Sequence, residues 1–129
     1  MHLIRVQDTF CAAHMLRFAN GSTERLHGHN WRVEVVVACP RLDADGIGID
    51  FLEVQSALHT LLDQELDHQN LNSINDMATP NPTSERLAQW LAARLAPALA
   101  RPAIGAYLQS VTVWEMPEFS VTFIPDQTQ

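Results

Sequence analysis

Apolar and polar positions alternate along four stretches of the chain, and each such stretch predicts a β-strand. The first runs from Leu3 to His14, with Val6, Phe10, Ala12 and His14 on one face. The second runs from Leu26 to Ala38, with His27, His29, Trp31, Val33, Val35 and Val37 on one face. Leu108 to Glu115 and Phe119 to Ile124 are the third and fourth, joined by the turn Met116-Pro117-Glu118. Between the two pairs the period changes to that of a helix. Phe51, Val54, Leu58, Leu61, Leu62 and Leu66 form one apolar stripe, opened by Asp50 with Glu53 three residues on. Leu87, Trp90, Leu91 and Leu95 form another, capped by Thr83 or Ser84 and expected to stop at Pro97 and Pro102. Residues 15–25, 40–48 and 69–82 lose their periodicity and read as loops. The order ββααββ predicts an α+β fold, with a four-stranded antiparallel sheet, as a single domain over residues 1–129.

Composition narrows the functional classes. The net charge is −7, and all eight basic residues are arginine. This balance disfavours a nucleic-acid partner, and the absence of lysine excludes a Schiff-base mechanism. No apolar run approaches membrane-spanning length, and no secretory signal opens the chain. Cys11 and Cys39 have neither redox nor metal-site spacing. A cytoplasmic protein with reduced thiols and no membrane partner is expected.

The candidate chemistry begins with Leu26-His27-Gly28-His29-Asn30-Trp31. Strand parity projects His27 and His29 from one face. Alone, the pair also fits a solvated or packed strand end. If the first two strands pair as antiparallel neighbours, His14 joins them. Three neutral imidazoles with an open position form a typical catalytic zinc sphere, though nickel, copper or iron would also accept them. His59 lies off the helix stripe and reads as a surface residue. Asp67-His68 ends the first helical stretch, where a histidine also suits the helix dipole.

These segments, taken in order, resemble one family. Phe10-Cys11-Ala12-Ala13-His14, the His27-Gly28-His29 stretch, Ile49-Asp50-Phe51, Leu66-Asp67-His68-Gln69-Asn70-Leu71-Asn72, Pro82-Thr83-Ser84-Glu85 and Glu115 are similar to the 6-pyruvoyl-tetrahydropterin and 6-carboxytetrahydropterin synthases. The resemblance implies the tunnelling fold, with two helices packed on one face of the sheet. It implies Zn2+ on His14, His27 and His29, and Asp67 with His68 as a catalytic pair. It implies a small-molecule pterin substrate held by Glu115, Thr83, Ser84 and Glu85. It also implies trimers or hexamers with sites between subunits.

One position departs from the pattern. Most of the family carries a catalytic cysteine four residues before His27, and Thr23 stands there. A threonine hydroxyl is a poor base at neutral pH. Glu24 follows, and this arrangement resembles a subgroup with glutamate in place of the cysteine. That subgroup cleaves the side chain of 7,8-dihydroneopterin triphosphate to 6-hydroxymethyl-7,8-dihydropterin, a folate precursor. Cys11 should face away from His14 by strand parity, and Cys39 lies past the far strand end. The catalytic set expected is therefore Glu24, Asp67 and His68, with Arg17 and Arg25 as candidates for a phosphate tail. The alternatives are 6-carboxy- or 6-pyruvoyl-tetrahydropterin formation, or a non-catalytic pterin- and zinc-binding protein.

Overall fold

The computed structural model describes residues 1–127, so the last two residues of the expected domain lie outside it. Strands β1 (His2–His14) and β2 (His27–Cys39) pair antiparallel over their whole length, with His14 opposite His27. Strand β4 (Tyr107–Met116) pairs antiparallel with β2, and β5 (Phe119–Phe123) with β4. The expected alternation is visible in burial. Phe10, Ala12, Trp31, Val33, Val35, Val37, Val111 and Val113 point into the core.

The sheet differs from expectation in one respect. It has five strands, because β3 (Gln69–Asn70) adds to the free edge of β1 and runs parallel to it. A two-residue strand is too short to show a period of two, so its sequence reads as loop. Its pairing is reinforced by a 2.6 Å hydrogen bond from the His68 amide to the Cys11 carbonyl.

Helix α1 (Phe51–Leu61) starts as predicted, with the Leu52 amide donating to Asp50 Oδ1 at 2.8 Å. Glu53 does not close the cap; its carboxylate faces Arg101 at 3.5 Å. A π turn (Leu62–Leu66) continues α1 and carries Leu62 and Leu66 into the core. Phe51 is 63% exposed, so the apolar stripe begins at Val54. The segment read as a loop also holds a short helix α2 (Asn75–Ala78), anchored by buried Met77.

Helix α3 (Ser84–Leu99) is capped by Thr83, whose Oγ1 accepts from the Arg86 amide at 3.1 Å. It passes through Pro97, where it was expected to stop. Proline removes only its own amide bond here, in the last turn, and buried Leu99 draws the chain onward to the core. Helices α1 and α3 pack on the core face of the sheet and share its apolar cluster. No helix among the described residues is long and apolar enough to cross a membrane.

Candidate metal centre

Strand pairing alone brings three of the histidines together. His14 and His27 are directly opposed, and His29 is one pleat further along the same face, opposite Ala12. Their ring centroids lie 4.7, 5.3 and 4.8 Å apart. Trp31 forms the floor, fully buried, with its indole N–H held by the Ala12 carbonyl at 3.1 Å. Its ring meets His14 and His29 edge-on at 5.0 and 5.2 Å.

The orientation of the imidazoles is set by the main chain. His14 Nδ1 lies 2.8 Å from the Pro82 carbonyl, and His27 Nδ1 lies 2.8 Å from the Arg25 carbonyl. A carbonyl only accepts, so each Nδ1 carries the proton and each Nε2 presents a lone pair. His14 Nε2 and His29 Nε2 are buried and have no hydrogen-bond partner.

Glu115 completes the cluster. It sits at a β-bulge in β4, where the register with β5 shifts between Trp114 and Met116. Bulges re-aim side chains, and this one turns a carboxylate toward the triad. Glu115 Oε1 lies 3.1 Å from His14 Nε2 and 3.4 Å from His29 Nε2. An imidazole lone pair and a carboxylate oxygen at that distance repel unless a cation lies between them. One oxygen and three nitrogens, all within 4.8 Å of one another, form a donor set that fits a divalent metal ion. The sequence reading placed Glu115 at the pterin and missed its nearness to the histidines. No local signal marks that contact, since the bulge is a tertiary feature.

Burial is the main force on the His29 imidazole and holds its pKa below the ordinary range; Glu115 opposes this, and His14 and His27 add to it. The net effect favours the neutral imidazole, the form a metal ligand needs.

Glu24 arrives on the loop between β1 and β2. Its amide donates to the Leu16 carbonyl at 2.9 Å, and its Oε1 accepts from the Leu16 amide at 3.1 Å. This grip places the carboxylate close enough to act electrostatically on His29. Thr23 is exposed and bridges to Arg17. Cys11 faces the opposite surface of the sheet, where its thiol meets Asn30 Oδ1 at 2.9 Å, and Cys39 is buried.

Asp67 and His68 pair with each other but not with the triad. Asp67 Oδ2 lies 2.9 Å from His68 Nδ1, and Asp67 Oδ1 accepts from the Cys11 amide at 2.9 Å. That amide, more than His68, holds the Asp67 pKa below its usual value. His68 has a left-handed backbone (φ 61°) and an 80% exposed side chain. A non-glycine residue at positive φ is uncommon and often functional. The dyad stands at the outer edge of β1. Ser84 and Glu85 open α3 two and three residues after Pro82, which touches His14.

The fold and this centre define an α+β protein in which three histidines and one carboxylate could hold a metal ion, beside the loop that carries Glu24. The sequence profile of the 6-pyruvoyl tetrahydropterin synthase family matches residues 3–125, and the chain belongs to that family. It is 37% identical to a 6-carboxy-5,6,7,8-tetrahydropterin synthase of Synechocystis over 74% of this chain and 75% of that one. It is 35% identical to a dihydroneopterin monophosphate aldolase of Pyrococcus furiosus over 88% of this chain and 89% of that one. The solved 6-pyruvoyl tetrahydropterin synthase of Caenorhabditis elegans shares the fold, with a TM-score of 0.82 at 24% identity over 97% and 96% of the two chains.

Proposed function

We propose that the protein is a zinc-dependent lyase that cleaves the side chain of 7,8-dihydroneopterin triphosphate to 6-hydroxymethyl-7,8-dihydropterin. The observation that carries this reading is the Glu24 carboxylate, held on the loop between β1 and β2 by Leu16 and acting electrostatically on His29, while both cysteines lie away from the triad. The Pyrococcus furiosus relative, named for an aldolase reaction on a dihydroneopterin monophosphate, supports cleavage as the reaction type. A related fold from Plasmodium vivax has been solved with a catalytic glutamate replaced by alanine.

His14, His27, His29 and Glu115 would hold the metal, which when bound supplies Lewis acidity to the side-chain hydroxyls. Glu24 takes the proton from the hydroxyl on the second side-chain carbon. The bond between the first and second carbons then breaks, the second carbon becomes an aldehyde, and the electron pair passes into the C=N system of the ring. His68, oriented by Asp67, returns a proton to the first carbon. In one chain that dyad faces outward, which supports a site completed by a second copy in a trimer or hexamer.

Thr83, Ser84 and Glu85 with Glu115 form the ring-recognition set. Thr83 is engaged as a helix cap, whereas Ser84 and Glu85 are free to meet a ligand. The position of Glu115 at the histidines gives it a second duty at the metal. Glu85→Ala is expected to weaken pterin binding roughly 10- to 100-fold, the effect of losing a charged acceptor, with metal content unchanged. Glu115→Ala should weaken both pterin and metal binding. Unaltered metal affinity in that variant, measured by chelator competition, would restrict Glu115 to the ring.

The decisive experiment supplies zinc-loaded protein with dihydroneopterin triphosphate and identifies the products by mass. 6-Hydroxymethyl-7,8-dihydropterin with a phosphorylated two-carbon aldehyde supports cleavage. Release of inorganic triphosphate would favour the 6-pyruvoyl or 6-carboxy reaction, the latter being the activity for which the Synechocystis relative is named.

A further inference from the structure

His14 is the most buried imidazole of the triad, and its orientation depends on the Pro82 carbonyl. Whatever places Pro82 therefore places His14. Pro82 lies in the connection from α2 to α3. Its neighbours are held locally. Asn81 takes both the amide and the carbonyl of Arg17, at 2.7 Å each, and Thr83 caps α3. The other end of the connection starts from α2, a helix of four residues with no side-chain cap. A single helical turn does not hold itself, because nucleation costs more than one turn of bonds returns. That end depends on what α2 docks against.

Asp76 supplies the docking. Trp90 Nε1 donates to Asp76 Oδ1 at 2.9 Å, and Arg94 Nη2 donates to Oδ2 at 2.6 Å. Arg86 Nη2 donates to the Asp76 main-chain carbonyl at 2.9 Å. The three donors stand at successive i, i+4 positions, on one stripe of α3. The Arg94 guanidinium also lies over the Trp90 ring, 3.7 Å from its centroid, which braces two of the donors against each other. The Arg94 hydrogen bond, followed by that of Trp90, holds the Asp76 carboxyl below its usual pKa. An isolated exposed ion pair contributes little. Here one residue is fastened at three oxygens to a single helix face. Buried Met77 anchors α2 at one point, and the grip on Asp76 adds the second that fixes its direction.

We propose that Asp76 is a positioning residue for the metal centre: held by Arg86, Trp90 and Arg94, it sets the course of residues 76–82 and, through the Pro82 carbonyl, the orientation of the His14 imidazole. The proposal rests on the reading of the triad as a metal site and not on the reaction proposed above. Asp76 itself takes no part in the chemistry.

The test compares Asp76→Ala with Asp76→Asn, which keeps an acceptor oxygen for Trp90 and loses the charge that faces Arg94. Two quantities are read on the full chain. The first is the Nδ1–H resonance of His14 by NMR, with and without zinc. In wild type this buried, hydrogen-bonded proton should exchange slowly; in Asp76→Ala it should shift and exchange faster. The second is zinc affinity by chelator competition. Losing the direct hydrogen-bond partner of a ligand typically costs about 10- to 100-fold in metal affinity, so loosening that partner should cost roughly 3- to 10-fold. Asp76→Asn should recover most of both.

A fall in melting temperature with the His14 resonance and zinc affinity unchanged would overturn the proposal, and would show that Asn81 and Thr83 hold Pro82 unaided. If Asp76→Ala does not fold, Asp76→Asn carries the same test with a smaller expected change. If wild type binds no zinc, the metal reading fails, and the His14 resonance of the metal-free chain still decides the positioning role.

Discussion

His27→Ala is expected to weaken metal binding at the centre and lower turnover sharply while leaving the fold intact. His27 is the triad member best suited to this test. His14 is 1% exposed and wedged against Trp31, so its removal would also open the core. His27 is partly exposed, and its main structural tie is one hydrogen bond to the Arg25 carbonyl. Metal content should fall below about one ion per chain after dialysis, since the centre loses one of its three imidazoles and binds more weakly with the two that remain and Glu115. Circular dichroism and the pairing of β1 with β2 should be unaffected. Retention of a full equivalent of metal would show that the triad is not the site.

The metal-free protein carries a pH signature of its own. Burial depresses the His29 pKa in the folded chain, so between that value and the ordinary imidazole range the unfolded chain binds more protons. Stability therefore rises with pH through this window and is lost as pH falls across it. A saturating metal should add stability by mass action, about 2.7 kcal/mol at a hundredfold excess over Kd. His27→Ala should lose that increment, as read by thermal unfolding with and without zinc.

The triad was legible because it depends on parity and a hairpin. His14, His27 and His29 share a face by counting residues in twos, and a single pairing of β1 with β2 makes them converge. The caps at Asp50 and Thr83 were legible for a similar reason, since each is decided within one helical turn. What escaped depends on distant partners. Glu115 reaches the histidines only because a bulge in β4 turns it inward. The fifth strand exists because the edge of β1 accepts Gln69 and Asn70, which have no strand pattern of their own. Phe51 fits the apolar stripe of α1 yet remains outside the core, because periodicity cannot say where the sheet ends. Asp67 and His68 were expected as a pair, and they are one. Their outward stance follows from the docking of Asp67 on the Cys11 amide and the left-handed backbone of His68, neither of which the sequence displays.

Glu24→Gln is expected to lower the cleavage rate about 10²–10⁴-fold, the usual cost of removing a general base, with metal content preserved. The substitution separates chemistry from structure. On the proposed reading Glu24 has two duties, since Oε1 accepts from the Leu16 amide and the carboxylate, which acts electrostatically on His29, takes the proton. Glutamine keeps an acceptor oxygen for Leu16 and so preserves the loop, but it cannot take a proton at neutral pH. Glu24→Ala would remove both, and a larger loss there than in Glu24→Gln measures the structural share. The usual cysteine of the family lies one residue further from His27, at the position of Thr23. On the proposed reading, a carboxylate displaced by one residue is expected to meet a hydroxyl further along the side chain, and so to favour breaking the carbon–carbon bond over eliminating triphosphate. Thr23→Cys combined with Glu24→Gln should accordingly shift any residual product toward triphosphate release. If Glu24→Gln matches wild type in rate and product, the proton passes to another group and Glu24 serves only to hold Leu16.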